Sequence, residues 1–293
     1  MEVSERIQAV SKFLLESPPG EINDVLNDVR NIIADDESLQ QGIAPALREY
    51  NLVQFITVDI PGSNHQSIIS KIALVNKSSD REDASERFLD PRSNTTFKFD
   101  HLSLEASDPQ PYEPDAASEP FRTALEASTH AYLSSHFPDG TASVFSSPDN
   151  PTVFIIQIIA NKYNPSNFWS GRWRSEYKVN LELRLVQGKI GVNVHYYEQG
   201  NVQLATNHEV SLSLPPTIFQ SSPTQSAAKV LALIESEEGE YQTSLTETYQ
   251  DMSEKTYKTL RRALPMTRSK MDWDKVMGYK LGAELSAGKG GFS

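Results

Sequence analysis

Cysteine is absent from this 293-residue chain. Its absence excludes a disulfide framework, a thiolate nucleophile, a Cys-based zinc site and a Cys-ligated iron–sulfur cluster. Long apolar runs are lacking too. Val153-Phe154-Ile155-Ile156 and Ile158-Ile159-Ala160 are typical of the longest, far below the roughly 20 residues a membrane span needs. Met1-Glu2-Val3-Ser4-Glu5 has neither the basic region nor the apolar core of a secretory leader. The triplets Asn76-Lys77-Ser78 and Asn94-Thr95-Thr96 are therefore expected to stay unglycosylated. Positive charge is short, with 27 Lys+Arg against 39 Asp+Glu and a net charge of −12. An average of that sign argues against nucleic acid as the main partner. The expectation is a soluble intracellular protein of one or two domains, with ample chain to bury a core.

Catalytic patterns are missing as well. The six histidines, at 65, 101, 130, 136, 195 and 208, form no His-Glu-x-x-His pattern, and no Gly-x-Ser-x-Gly elbow occurs. His195 and Glu198 have a spacing that would place two metal ligands together on a helix. Their surroundings alternate like a strand, where such residues point to opposite faces. Gly288-Lys289-Gly290-Gly291 lacks the Ser/Thr and preceding strand of a phosphate loop. Trp169 and Trp173 open a strand-like run and read as sheet-packing residues. Nothing calls for an enzyme, a metal or a cofactor.

What is present is patterning. Ile7, Val10, Phe13 and Leu14 form one helical stripe, and Ile22, Val25, Leu26, Val29, Ile32 and Ile33 form a second. A third helix starts near Asp36 and runs toward Tyr50 through Gly42 and Pro45, and 52–58 reads as a strand. Residues 1–58 thus predict an antiparallel helical bundle. Residues 59–118 are loop-rich, with a strand-like run at 68–75 and alternation at 96–100. A helix at 119–136 follows, with Phe121, Ala124, Leu125, Ala131 and Tyr132 on one face. Strands are then expected at 142–146, 152–161, 169–186, 189–198 and 202–214, joined by turns at 148–151, 187–188 and 199–201. Short turns imply a five-stranded antiparallel meander. Its cover is the proline-free run 224–263, about 60 Å if wholly helical. Ala227, Leu231, Ile234, Tyr241, Leu245 and Met252 lie on its stripe, which Glu238 and Gly239 interrupt. That length exceeds what one such sheet needs and suggests a second subunit. The fold class is α+β.

The charge is unevenly placed. From residue 255 onward there are nine basic residues and three acids, a local +6; the remaining 18 basic and 36 acidic residues give −18. This basic end is amphipathic, with Trp273, Val276, Met277, Leu281 and Leu285 at three- and four-residue steps. Docking back on the body, entry into a partner's groove and binding to an anionic membrane surface all fit that pattern.

Two stretches carry a resemblance. Val194-His195-Tyr196-Tyr197-Glu198-Gln199-Gly200-Asn201-Val202 and the run 257–273, Tyr-Lys-Thr-Leu-Arg-Arg-Ala-Leu-Pro-Met-Thr-Arg-Ser-Lys-Met-Asp-Trp, resemble the signature boxes of the F-actin capping protein alpha subunit family. Residues 168–175, 87–91, 97–101 and 105–109 are similar to that family as well, in family order. Departures are Gln199 for an Asp, Met266 and Met271 for aliphatics, Tyr257 for a Phe, and a Gly-rich extension. The resemblance implies a non-enzymatic alpha subunit in an obligate heterodimer with a capping protein beta subunit. The two sheets would join and the long helices cross them, with residues 119–264 as the heterodimerisation part. Residues 265–293 would form a C-terminal amphipathic tentacle that binds actin filament barbed ends without calcium. The implied actin contacts are Lys258, Arg261 and Arg262 just before it and Arg268, Lys270, Trp273, Val276, Met277 and Leu281 within it. The implied location is the cytoplasm and its cortical actin, with phosphoinositides and capping regulators as further partners. The alternative is a peripheral phosphoinositide- or membrane-binding module using the same tail.

Overall fold

The computed structural model describes residues 3–33, 36–75, 86–198 and 200–257. The chain divides into two units, Met1–Tyr241 and Gln242–Ser293.

Three helices open the first unit: α1 (Val3–Leu15), α2 (Ile22–Ile33) and α3 (Asp36–Gln54). Val10 and Leu14 of α1, Leu26 and Val29 of α2, and Ile43, Leu47 and Tyr50 of α3 bury one shared core. The stripes therefore face each other as periodicity requires. Among the stripe residues whose burial is described, Phe13 is the exposed one, at 60%. Gly42 lets α1 pack tightly against α3, since a Cβ there would meet Ile7 at 2.6 Å. Pro45 sits inside α3 on its exposed side, and Ala46 and Leu47 beside it are buried. Packing thus carries the helix past the hydrogen bond that Pro removes. It also extends α3 over residues 52–54, where a strand was expected.

The middle region has more pairing than its irregular sequence suggests. Strands β1 (Thr57–Asp59) and β2 (Gln66–Ile68) pair antiparallel, and β3 (Arg87–Asp90), β4 (Thr95–Phe99) and β5 (Ala106–Pro111) form a three-stranded sheet. The expected strand at 68–75 shrinks to the end of β2, a turn and one isolated bridge from Leu74 to Phe88. Phe88 and Phe97 join Leu52 of α3 in a second core, with Phe88 edge-on to Phe99 at 6.0 Å.

Helix α4 (Glu119–His136) leads into β6 (Thr141–Ser146), β7 (Val153–Asn164), β8 (Trp169–Asn180), β9 (Leu185–Tyr196) and β10 (Val202–Ser213). All five pair antiparallel in the order β10-β9-β8-β7-β6, the expected meander. One turn differs from expectation. Residues 169–186 are not a single strand: the chain reverses at 181–184, where the Asn180 side chain accepts the Leu183 N–H at 2.9 Å and Arg184 is left-handed at φ 55°. The alternation of leucines continues through this turn, which hid it, and Leu183 is exposed. Gly188, expected in a turn, lies within β9, where a Cβ would collide with the Tyr177 ring at 2.2 Å.

Helix α5 (Pro223–Asp251) then buries Ala227, Val230, Leu231, Ile234 and Glu238. It shares with α4 the sheet face that carries Tyr177. The opposite face, carrying Ser170, Arg172 and Arg174, meets the N-terminal helices through side-chain hydrogen bonds. The result is a three-layer arrangement with the sheet between. In the second unit, α5 ends at Asp251 and a π-helical turn (Met252–Tyr257) follows, so the α-helix is shorter than the proline-free run. Thr246 and Thr248 each donate to the carbonyl four residues back, a bonding pattern that loosens helices.

Candidate functional site

Every residue expected to contact a partner through the tail, Lys258, Arg261, Arg262, Arg268, Lys270, Trp273, Val276, Met277 and Leu281, lies outside the described residues. The sheet that precedes the tail in sequence carries buried polar networks on both of its faces.

Helix α4 buries Leu125 and Tyr132 of the expected stripe, but the rest of its buried face differs. Arg122, Leu125, Glu126, Thr129, Tyr132 and Leu133 face inward, while Ala131 is exposed. Arg122 is clamped by Glu119 at 2.6 Å, lies 3.3 Å from Glu126 and donates to the Val144 carbonyl. Burial pushes the Glu126 carboxyl up despite that cation.

Glu238, which breaks the apolar stripe of α5, is the centre of the helical face. It is 1% exposed and accepts the Tyr132 hydroxyl of α4 on one oxygen and the Tyr177 hydroxyl of β8 on the other, the latter at 2.7 Å. Burial, and then the Glu238 charge, push both phenols up, so they remain protonated donors. One carboxylate thereby ties three elements together. Tyr241, one turn later, stacks on His208 at 4.5 Å, and His208 lies 2.9 Å from Glu237.

On the other face, the His195 box does positional work. His195 Nδ1 lies 2.7 Å from Glu21, which also accepts Ser170 at 3.0 Å, and Nε2 lies 3.2 Å from Asn201. His195 therefore joins β9 to the turn before α2, and Glu198 pairs elsewhere, with Tyr196. The expected separation of His195 and Glu198 holds. Arg172 donates to Asn161 at 2.7 Å, Tyr163 at 2.7 Å and Gln54 at 3.2 Å. Sequence reasoning missed Glu238, Arg122 and Glu21. The signal for the first was a charged residue inside an apolar stripe, which marks a paired buried group as readily as a break.

The sheet's two edges are unlike. β6 is six residues long and mostly buried. β10 spans 12 residues and, among the described strands, pairs only with β9. Gln203, Ala205, Asn207, Glu209 and Ser211 of β10 are all exposed, so its second face is uncovered by the described residues. It has neither the Pro nor the Lys that commonly blunts an edge. Among the described residues no His/Asp/Glu group could hold a metal ion, and no helix is long and apolar enough to cross a membrane.

Comparison with known proteins bears on this architecture. The sequence matches the F-actin capping protein alpha subunit family over residues 10–284. It is 36% identical over 289 residues to an F-actin-capping protein subunit alpha of Caenorhabditis elegans, covering 96% of this chain and 98% of the relative. An F-actin-capping protein subunit alpha of Emericella nidulans is 34% identical, with 97% and 98% covered. That of Saccharomyces cerevisiae is 33% identical, with 99% and 100% covered. In fold, the chain is similar to the homodimeric actin capping protein alpha subunit of Plasmodium berghei, with a TM-score of 0.68 at 21% identity, covering 92% of this chain and all of that one. The family is one of actin-capping structural proteins and not of enzymes. Over nearly its whole length, this chain belongs to the F-actin capping protein alpha subunit family.

Proposed function

We propose that this chain is the alpha subunit of a heterodimer that binds the barbed ends of actin filaments and blocks subunit addition and loss, independently of calcium, in the cytoplasmic actin cytoskeleton. The observation that carries the reading is kinship along the full chain, the basic tail included: the family match reaches residue 284. The long bare edge of β10 supports a partner, the capping protein beta subunit, that continues the sheet. Residues 119–264 are assigned to heterodimerisation and 265–293 to actin.

The mechanism follows from charge and area. An acidic body of −18 is repelled by an acidic filament, while the +6 end orients the approach. Lys258, Arg261, Arg262, Arg268 and Lys270 supply that steering. Trp273, Val276, Met277 and Leu281 then bury apolar area, which slows release. A second tail from the beta subunit adds avidity.

The test is truncation after Pro265 in the heterodimer co-expressed with a beta subunit. Barbed-end elongation, read with and without a calcium chelator, and binding to phosphoinositide vesicles are measured separately. Capping should weaken at least tenfold and be indifferent to the chelator. Unchanged capping would remove the tail mechanism. Vesicle binding without any capping by the intact heterodimer would favour the membrane reading.

A further inference from the structure

On the sheet face that meets the helical bundle, Arg174 differs from its neighbour Arg172. Arg172 spends its donors on three side chains, as above. Arg174 donates to the Val53 carbonyl and, at 3.0 Å, to Asn193, while its Nε finds no partner. Among the described residues no carboxylate pairs with it. Burial and the nearby Arg172 charge push its pKa down to about 10, so it is still a cation at neutral pH. A half-buried guanidinium without a counterion is an unfinished electrostatic arrangement.

A cavity of about 600 Å3 opens beside it. Its bundle side is apolar, formed by Leu52, Val53 and Ile72, and Lys71 and Lys189 stand on its rim. Those two lysines are largely exposed, each already facing an acid, Glu49 at 2.6 Å and Glu209 at 4.0 Å. The one acid in the lining, Glu176, accepts Gln157 at 2.6 Å. Gly191 gives the guanidinium its place over β9, since a Cβ there would lie 3.3 Å from its Nη2. The cavity reaches Asn207 of β10, on the bare face of the unpaired edge. It is therefore continuous with the surface where an added strand would arrive.

We propose that this cavity receives an acidic side chain with an apolar neighbour from the subunit that pairs along β10, and that Arg174 is the group it neutralises. The proposal rests on the heterodimer reading above. A carboxylate engages a guanidinium by charge-assisted bonds, and the apolar wall takes the adjoining side chain out of water. Both terms select an acid-bearing partner, so the cavity contributes to which subunit is accepted as well as to how tightly.

The test uses the purified complex with the beta subunit, its dissociation followed by native mass spectrometry on dilution. Arg174→Leu should raise the subunit dissociation constant at least about tenfold, as expected for a lost charged hydrogen bond. Arg174→Lys should give a smaller rise. Val53→Trp fills the mouth while leaving the guanidinium and the Val53 carbonyl in place, and should weaken the complex with an unchanged far-UV circular dichroism spectrum of the assembled complex. In the Arg174→Glu background, one Asp or Glu→Arg change on the partner should restore assembly. Unchanged dissociation in both Arg174→Leu and Val53→Trp would overturn the proposal. So would phosphate stabilising the wild-type complex but not Arg174→Leu while dissociation stays the same, which would make the cavity a free-anion site. Ala205→Pro on β10 separates the two readings. If it weakens assembly while the cavity variants do not, the heterodimer reading stands and this one falls.

Discussion

The two faces of the five-stranded sheet handle buried charge in different ways. On the helical face the Glu238 carboxylate accepts two tyrosine hydroxyls, so each of its oxygens has a partner. On the bundle face two guanidiniums are held by carbonyl, amide and hydroxyl oxygens, and Arg174 keeps an unused donor. The Glu238 network is closed within the chain. The bundle face is finished only where it meets the helices, and it opens toward β10. The difference teaches where rigidity and where association reside: a satisfied network fixes α4 and α5 on the sheet, while the unsatisfied one faces the unpaired edge.

The largest effect should come from breaking the closed face. Glu238→Ala leaves two buried phenols without an acceptor and should lower the unfolding free energy by about 3 kcal/mol, read by denaturant titration. The triple variant Glu238→Met, Tyr132→Phe, Tyr177→Phe removes both sides of the network together and should recover most of that loss. If the triple variant is as unstable as Glu238→Ala, the network is not what holds the helices.

A smaller effect should come from acid, which reaches both sides of the molecule. His130 of α4 and His101, whose Nδ1 lies 3.2 Å from the Asn51 amide of α3, are both lowered from the ordinary 6.5, chiefly by burial. A base with a lowered folded pKa is destabilising when the unfolded chain binds its proton more readily. Stability is therefore full above about pH 6.5 and falls as the pH drops below it. Glu119, lowered by its bond to Arg122, continues the loss below its ordinary 4.5 as it is protonated. Thermal midpoints should decline by a few degrees from pH 7 to 5. The double variant His101→Asn, His130→Asn should flatten that decline. An equal slope in the double variant would place the acid sensitivity elsewhere.

Much of the fold was legible because its burial is periodic. The stripes of α1 and α2 follow from apolar spacing, and the antiparallel meander from short turns such as 148–151. The reversal at 181–184 was not, since Asn180 and Arg184 act through one side-chain bond and one left-handed residue while the leucine alternation runs on. Gly188 misled for the complementary reason: it makes room for Tyr177 and turns nothing. On α4, Arg122 and Glu126 are buried because Glu119 and the Val144 carbonyl receive the guanidinium, partners that hydropathy cannot see. The tail residues were legible through family resemblance and charge, and they lie beyond the described chain.

The central claim is that local positive charge on an acidic protein steers it to the filament end. Its most direct test is the barbed-end association rate of the heterodimer with Lys258→Glu, Arg262→Glu and Arg268→Glu, measured across ionic strength. The rate should fall at least tenfold against the unaltered heterodimer, and the gap should widen as salt is lowered. A rate equal to that of the unaltered heterodimer at every salt concentration would contradict the account.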